Sequence, residues 1–317
     1  MSDFNEMHSI TQRLADSDAE VRRVMVMELL YSDIENPLPF LINAISDTDA
    51  AVRLEAAKAL EGIEEATAVA ALISILKDGK EEVRVAAALS LAELKQDIHG
   101  PMLIASLKDD DPFMKTSILN ALRELRVAQA YSPVLDCLNH ATPMVRRAAI
   151  SVLGYLKNSD ALGELTRVAA SDVDPNVRRA AVGAIGFSAE PIVLPALIIA
   201  LSDESWQVRE EAAATIGKLR LLDAEAELIK AMKDEYWQVR VKAARSLGRM
   251  KLAAALNSLT AALAHPVSNL RKEAAIALGE IGGSAAAAAL ETILDDPDPD
   301  VRKIAKLGLM QILKAAV

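Results

Sequence analysis

Residues 203–217 read DESWQVREEAAATIG, and residues 234–248 read DEYWQVRVKAARSLG. The two stretches begin 31 residues apart and share an acidic start, a Val-Arg pair, an Ala, an apolar residue and a Gly. The Val, the Ala and the later Leu or Ile are each four residues apart, which places them in one stripe of an α-helix. Repetition at this interval predicts stacked helical units rather than one globular core.

The same pattern recurs ten times, and we number the repeats by their Val position. Eight copies of the Val-Arg pair are identical: Val21-Arg22, Val52-Arg53, Val83-Arg84, Val145-Arg146, Val177-Arg178, Val208-Arg209, Val239-Arg240 and Val301-Arg302. Met114-Lys115 and Leu270-Arg271 fill the two gaps. Every interval is 31 residues except the 32 between Val145 and Val177.

Residues around the Val position predict a pair of helices, A and B, in each repeat. Asp stands five residues earlier in eight repeats, and His140 and His265 replace it in the other two. Asp-Pro, as in Asp111-Pro112, is typical of a helix start, so helix B begins there. The extra residue of the long interval is expected at the end of helix A, near Ala170-Ser171.

From the ten repeats we predict an all-α fold, an α-solenoid with a right-handed superhelix of about ten helix pairs, forming one domain over residues 1–317.

These residues resemble the HEAT repeat over residues 5–315, most closely the short variety named after phycobilisome lyases. The resemblance implies a ladder in which the turn Asp and the helix-B Arg six residues later hydrogen-bond between neighbouring repeats. The arginines at the ladder positions are Arg22, Arg53, Arg84, Arg146, Arg178, Arg209, Arg240, Arg271 and Arg302, whereas the fourth repeat has Lys115. Because the series runs through the whole chain, we interpret it as architecture rather than as a repeated anion or metal site.

The amino-acid composition and the net charge limit the classes of partner that we expect. The net charge is −10 and the sequence pI is about 5.1, which argues against nucleic-acid and anionic-membrane partners. HEAT-like alkylpurine glycosylases, by contrast, present a basic concave surface. A single cysteine and a start without a basic segment followed by an apolar one predict a cytoplasmic protein.

The sequence has no catalytic constellation. None of the four histidines belongs to a His-Glu pair of the kind that di-iron HEAT-repeat hydroxylases use. Cys137 falls next to the apolar stripe of helix A and is predicted to be a buried, unreactive thiol. No Gly-rich phosphate loop or nucleophile elbow is present. We expect no enzymatic activity, no cofactor and no metal.

Variable outward positions of helix B predict the binding face. In the first four repeats these positions hold two positive and six negative side chains, and in repeats five to eight they hold six positive and two negative. Aromatic and Arg side chains are the usual anchors of interfaces. We predict a scaffold whose concave helix-B face, centred on repeats five to eight, binds an acidic or aromatic protein partner. The predicted contact residues are Arg147, Tyr155, Arg179, Phe187, Trp206, Tyr236, Trp237, Lys242, Arg245 and Arg249.

Two alternatives remain open at this stage. The resemblance to lyase-like HEAT proteins implies a bilin lyase or chromophore-handling subunit, since a tetrapyrrole offers propionates to arginine and a flat apolar body to tryptophan. The other is an assembly factor of a larger complex that also self-associates through its end repeats, because Leu309, Met310, Ile312 and Leu313 lie close together near residue 317.

Overall fold

The computed structural model describes residues 2–32 and 34–315, and the side chains of residues 7–32 and 34–314. Over these residues the regular structure is helical and contains no strand. The fold is therefore all-α, as predicted. Two compact units divide the chain, Met1–Leu156 and Lys157–Val317. Each unit contains five repeats, and the continuity of one domain across residue 156 remains a prediction.

The first unit contains helices α1 to α10, in which odd numbers are helices A and even numbers are helices B. Their bounds are α1 Ser2–Leu14, α2 Ala19–Leu29, α3 Leu38–Ala44, α4 Ala50–Ala59, α5 Ala66–Ser74, α6 Glu81–Ala92, α7 Gly100–Ser106, α8 Pro112–Leu125, α9 Tyr131–Asp136 and α10 Pro143–Leu156. Short 3₁₀ turns occupy Ile75–Lys77, Asp97–His99, Ala128–Ala130 and Cys137–Asn139. Successive helices B pack side by side, from α2 on α4 to α8 on α10.

The second unit repeats this arrangement. Its helices are α11 Leu162–Ser171, α12 Pro175–Ala184, α13 Val193–Ala200, α14 Trp206–Leu219, α15 Glu225–Ala231, α16 Trp237–Arg249, α17 Leu256–Ala262, α18 Ser268–Ile281, α19 Gly283–Glu291 and α20 Pro299–Ala315. The 3₁₀ turns are Ser159–Ala161, Ile185–Phe187, Leu222–Ala224 and Ala253–Ala255. The helices B again pack in chain order, α12 on α14 through α18 on α20.

The predicted helix-B stripe forms the core of each unit. In the seventh repeat, Val208, Ala212 and Ile216 are all fully buried. The equivalent residues of repeats two to nine are also buried, whereas Val21 and Leu309 at the two ends are only half-buried. Apolar burial of this kind is the main stabilising term in a helical repeat.

Helix B begins where the turn residues predict. The Asp111 carboxylate accepts from the backbone N–H of Met114 at 2.8 Å, and Asp174 caps α12 in the same way. After helix A of the seventh repeat, the Asp203 N–H donates to the carbonyl three residues earlier, that of Ala200. The Asp172 N–H instead donates to Val168, four residues earlier. The extra residue of the long interval therefore lies at the predicted end of helix A, where it extends the α-helix rather than a loop.

Small residues allow the helices B of the second unit to approach closely. A Cβ on Gly248 would lie 2.6 Å from the Ala277 Cα of the next repeat, and one on Gly217 would collide with Ser246. The Ser246 hydroxyl donates to the Ala213 carbonyl at 2.7 Å, in the preceding helix B. At Gly248 and Gly217 the close approach of the next helix B leaves no room for a Cβ.

Candidate functional site

The predicted ladder is present within each unit. The Arg22 guanidinium donates from Nε and Nη2 to the two Asp47 oxygens, each at 2.7 Å. A third donor, Nη1, bonds at 2.8 Å to the carbonyl of Asp16, in the turn of its own repeat. Such pairs of carboxylate and arginine, which we call rungs, join the following residues: Arg53 and Asp78, Arg178 and Asp203, Arg209 and Asp234, Arg271 and Asp296. The Arg–Asp series is therefore structural.

Three ladder positions depart from this geometry. The Arg84 guanidinium lies 5.5 Å from the centre of the Phe113 ring, and Lys77 pairs with Asp109 in its place. The prediction of a rung at Arg84 was wrong, because Lys77, in the 3₁₀ turn that follows α5, pairs with the carboxylate instead. At the other two positions the expected carboxylate is absent, since the turn residues are His140 and His265.

The two turn histidines take over half of the aspartate's role. The Nδ1 of His140 accepts from the Thr142 N–H at 3.0 Å, and His265 accepts from Val267 at 3.1 Å. Turn aspartates make the same bond to the residue two positions later. The pKa of His265 is lowered, first by burial and then by the nearby guanidinium of Arg240. The histidines therefore maintain the turn without supplying a negative charge to the ladder.

In the second unit, aromatic side chains pack beside one of the rungs. The rings of Trp206 and Tyr236 are stacked, with centroids 5.5 Å apart and planes 15° from parallel. The Arg209 guanidinium, which pairs with Asp234, lies 5.6 Å from the centre of the Tyr236 ring. Trp206 therefore stacks on Tyr236, whereas Trp237 occupies the first position of α16 and is half-buried.

The basic residues of this face have acidic neighbours. Arg179 lies 3.7 Å from Glu211, and Lys242 lies 3.7 Å from Glu210. The Arg245 Nε donates to Glu273 at 2.9 Å. Their carboxylates come from the adjacent helix B, so three of the six positive charges predicted for these positions are compensated between repeats.

Repeat nine contributes acidic residues that the sequence analysis of repeats five to eight left out. Glu273 and Glu280 occupy the same outward positions on α18 as the basic residues on α16. Burial raises the pKa of Glu280, an effect that the charge of Arg249 opposes. Extending the same register by one repeat would have found both residues.

Arg147 and Tyr155 belong to the first unit. Tyr155 is 42% exposed, and the guanidinium groups of Arg123 and Arg126 lie 5.7 and 5.6 Å from its ring centre. Neither arginine was predicted as part of the site. Arg126 ends α8 in the left-handed conformation, with φ 52°, and no local spacing rule identifies such a position.

Phe187 and Cys137 are both withdrawn from full solvent exposure. Phe187 ends a 3₁₀ turn and is half-buried. Cys137 is buried, its Sγ lies 3.4 Å from the Pro133 carbonyl, and burial raises the pKa of its thiol. Within residues 2–32 and 34–315, no three His, Cys, Asp or Glu side chains are grouped as a metal site. No helix of the described chain has the length and apolar composition of a membrane span.

The sequence profile of HEAT repeats matches residues 8–92, 69–143, 131–217, 194–268 and 225–310. The chain belongs to the HEAT-repeat family. The matched stretches cover almost all of this HEAT-repeat protein, which confirms the repeat pattern, whereas membership of the phycobilisome-lyase-like variety remains a prediction. No protein with a curated description matches the sequence.

Solved structures share the fold of this HEAT-repeat protein. A crystal structure of an engineered protein is 20% identical, with a TM-score of 0.55, and the match covers 96% of this chain and 98% of that one. The X-ray structure of YibA from Escherichia coli is 20% identical, with a TM-score of 0.54 and coverages of 94% and 98%. A structure describing Kap95p binding to RanGDP is 16% identical, with a TM-score of 0.70, and the match covers 98% of this chain and 52% of that one.

At these identities the resemblance establishes the fold alone. An α-solenoid of HEAT repeats is the architecture of protein-binding scaffolds, because stacked repeats present a long surface with variable outward residues. The fold is consistent with an interaction scaffold, while the partner and the surface that binds it depend on particular residues.

Proposed function

We propose that this protein is a non-catalytic scaffold that binds a protein partner on the helix-B face of its second unit. We call this surface the tryptophan face, and its residues are Arg179, Phe187, Trp206, Tyr236, Trp237, Lys242, Arg245 and Arg249. The observation that carries the proposal is the stack of Trp206 on Tyr236, itself supported by the Arg209 rung. A preformed aromatic surface loses little conformational entropy on binding.

The ion pairs of the face favour a partner with carboxylates beside apolar or aromatic groups. Arg179 and Arg245 are 47% and 41% exposed, so each keeps donors available to solvent while contacting a glutamate. A partner carboxylate can join or replace these glutamates, as surface ion pairs exchange at little cost. Affinity would then come mainly from the aromatic anchors, and the charges would select the partner. The fold similarity to Kap95p, whose structure describes binding to RanGDP, supports a protein as the ligand.

A combined variant tests this face. Replacing Trp206, Trp237, Arg179 and Arg245 with Ala should abolish capture of partners from native cell extract, because the anchors and their charged rim are both removed. A matched control replaces the exposed Tyr31 and Leu89 of the first unit with Ala and should capture as the wild type does. Retained capture by the quadruple variant, with an unchanged melting curve, would show that the face is wrongly assigned.

A second candidate function, assembly with other copies of the chain, is favoured by the surface of α20. Leu307, Met310 and Leu313 are 47%, 57% and 66% exposed on this one helix. Clustered apolar side chains of this kind typically mark an interaction surface.

The tetrapyrrole alternative remains a prediction, and an unchanged absorbance spectrum after mixing with bilin or haem would exclude it.

A further inference from the structure

A cavity of about 810 Å³ lies in the first unit between helices α7 and α9, the helices A of repeats four and five. Its lining includes the apolar Ile104, Leu107 and Pro133 together with the buried Lys115 and the half-buried His140. Small-molecule sites typically have volumes of about 300–1,000 Å³ and combine apolar walls with a few polar groups. This cavity has both properties, and it is separate from the tryptophan face.

The repeat register explains why the polar part of this lining is unusual. Lys115 stands at the ladder position of arginine, and His140 stands 25 residues later, at the position of the aspartate that completes a rung. In intact rungs such as Arg53 with Asp78, a guanidinium faces a carboxylate. At this position the cation remains, but the turn carboxylate has been replaced by an imidazole.

Both replacement side chains can donate hydrogen bonds. Lys115 is nine-tenths buried, and its Nζ donates to the Leu107 carbonyl at 2.7 Å. His140 accepts the Thr142 N–H at Nδ1, so the neutral ring carries its hydrogen on Nε2. A buried ammonium is stabilised by an anion, and a hydrogen bond between two charged groups is about twice as strong as a neutral one.

Other charges around the cavity do not supply that anion from within. Asp110 lies 3.1 Å from the Lys115 Nζ, but its side chain is 93% exposed, so water screens the pair. Asp136 and Lys108 also line the rim, are exposed, and carry opposite charges. Lys115 is therefore the buried charge of the cavity lining, whereas Lys108, Asp110 and Asp136 are exposed.

We propose that this cavity binds a small molecule that carries a carboxylate on an apolar body. The carboxylate occupies the place of the missing turn aspartate, facing Lys115 and the Nε2–H of His140, while the apolar body lies against Ile104 and Pro133. The ligand class is that of monocarboxylic acids with an aliphatic or aromatic chain.

Titration calorimetry on the full chain tests the proposal with octanoate and with 1-octanol, which has the same body without the charge. We expect octanoate to bind with a stoichiometry of one and octanol about tenfold more weakly or not at all, because only the acid forms the charged hydrogen bonds. Equal affinity for the alcohol would overturn the proposal. So would failure of every acid from butyrate to dodecanoate to bind.

Variants locate the site. His140→Asp restores the carboxylate of the rung within the chain, so octanoate should bind about tenfold more weakly because its place is taken. Lys115→Met keeps the apolar stem but removes the charge and should have a similar effect. The matched control is His265→Asp, which makes the same change beside a smaller cavity of about 310 Å³ at Arg240 and should leave octanoate binding unchanged. Wild-type affinity in His140→Asp, in a protein with an undiminished melting temperature, would contradict the assignment.

Discussion

At the scale of single residues, the carboxylate of Asp78 accepts hydrogen bonds from two partners. Its Oδ1 accepts from the Lys80 N–H at 2.8 Å, which shapes the turn, and both oxygens bind the Arg53 guanidinium of the preceding repeat. The Asp78 side chain is only 7% exposed, so solvent screens the pair weakly. The hydrogen bond from Arg53 is the largest cause of the lowered pKa of Asp78.

Asp78→Asn should remove the charge while keeping the amide oxygen for the turn. We expect the free energy of unfolding to fall by about 2 kcal/mol at pH 7, the usual value of a hydrogen bond between charged groups. Urea denaturation monitored by circular dichroism measures the change. The exposed Asp223→Asn is the control and should change stability by less than about 0.5 kcal/mol.

The same pair makes stability depend on acid pH. The pKa of Asp78 is lower in the folded than in the unfolded chain, so its contribution is complete above the unfolded value of about 3.9. That contribution is lost as the pH falls through the lowered pKa of the folded state. The difference in unfolding free energy between the wild type and Asp78→Asn should therefore shrink below about pH 4. A difference that stayed constant down to pH 2 would show that charge does not stabilise the rung.

At the scale of helices, a few small residues determine how closely neighbouring helices B approach each other. Gly248 of α16 faces the backbone of Ala277 in α18, whereas Gly163 of α11 has no heavy atom within 4 Å of the position of its missing Cβ. The same substitution at the two sites should therefore have opposite effects. Intrinsic helix propensity favours Ala over Gly at both.

Gly248→Ala should destabilise the protein by about 1–3 kcal/mol, because the added methyl group forces two helix backbones apart. Gly163→Ala should instead stabilise it by up to about 1 kcal/mol through reduced entropy of the unfolded chain. Thermal unfolding of the two variants gives the comparison directly. If both substitutions raised the melting temperature, close packing of α16 on α18 would not limit this position.

At the scale of the whole molecule, we predict how the two units unfold relative to each other. Both tryptophans of the chain lie in the second unit, so indole fluorescence reports that unit alone. Far-ultraviolet circular dichroism reports the helices of both units. The repeat register continues past residue 156, and we predict that the two probes give coincident urea transitions. Separate midpoints would mean that the chain behaves as two domains, contrary to the single domain predicted from the sequence.

Self-association through α20 is a second prediction at this scale. Light scattering should show a mass that rises with concentration, because Leu307, Met310 and Leu313 expose apolar surface on one helix. Replacing the three with Lys should give a concentration-independent monomer. The control replaces exposed Ile98 and Val173, which do not share a helix, and should leave the association unchanged. A monomeric wild type at high concentration would exclude assembly by this route.

The amino-acid sequence alone determined the number of repeats, their helical pairing and the burial of the stripe. These properties depend on spacings within one repeat, such as the four residues between Val208 and Ala212, and local geometry converts them directly into structure. The position of the extra residue in the 32-residue interval was also predictable from the sequence. Asp172 stands five residues before Val177, as the turn Asp does in the other repeats, so the insertion precedes it, at the end of helix A.

Apart from the predicted rungs, only the tertiary structure decided which side chains meet between repeats. Lys77 rather than Arg84 holds Asp109, Trp206 stacks on Tyr236, and Glu273 pairs with Arg245. A site at the boundary of two repeats depends on helix separation and on the reach of long side chains, which a spacing rule within one repeat does not contain. For the same reason the register revealed that the rung at Lys115 and His140 lacks its carboxylate, but packing of α7 and α9 decided that a cavity opens there.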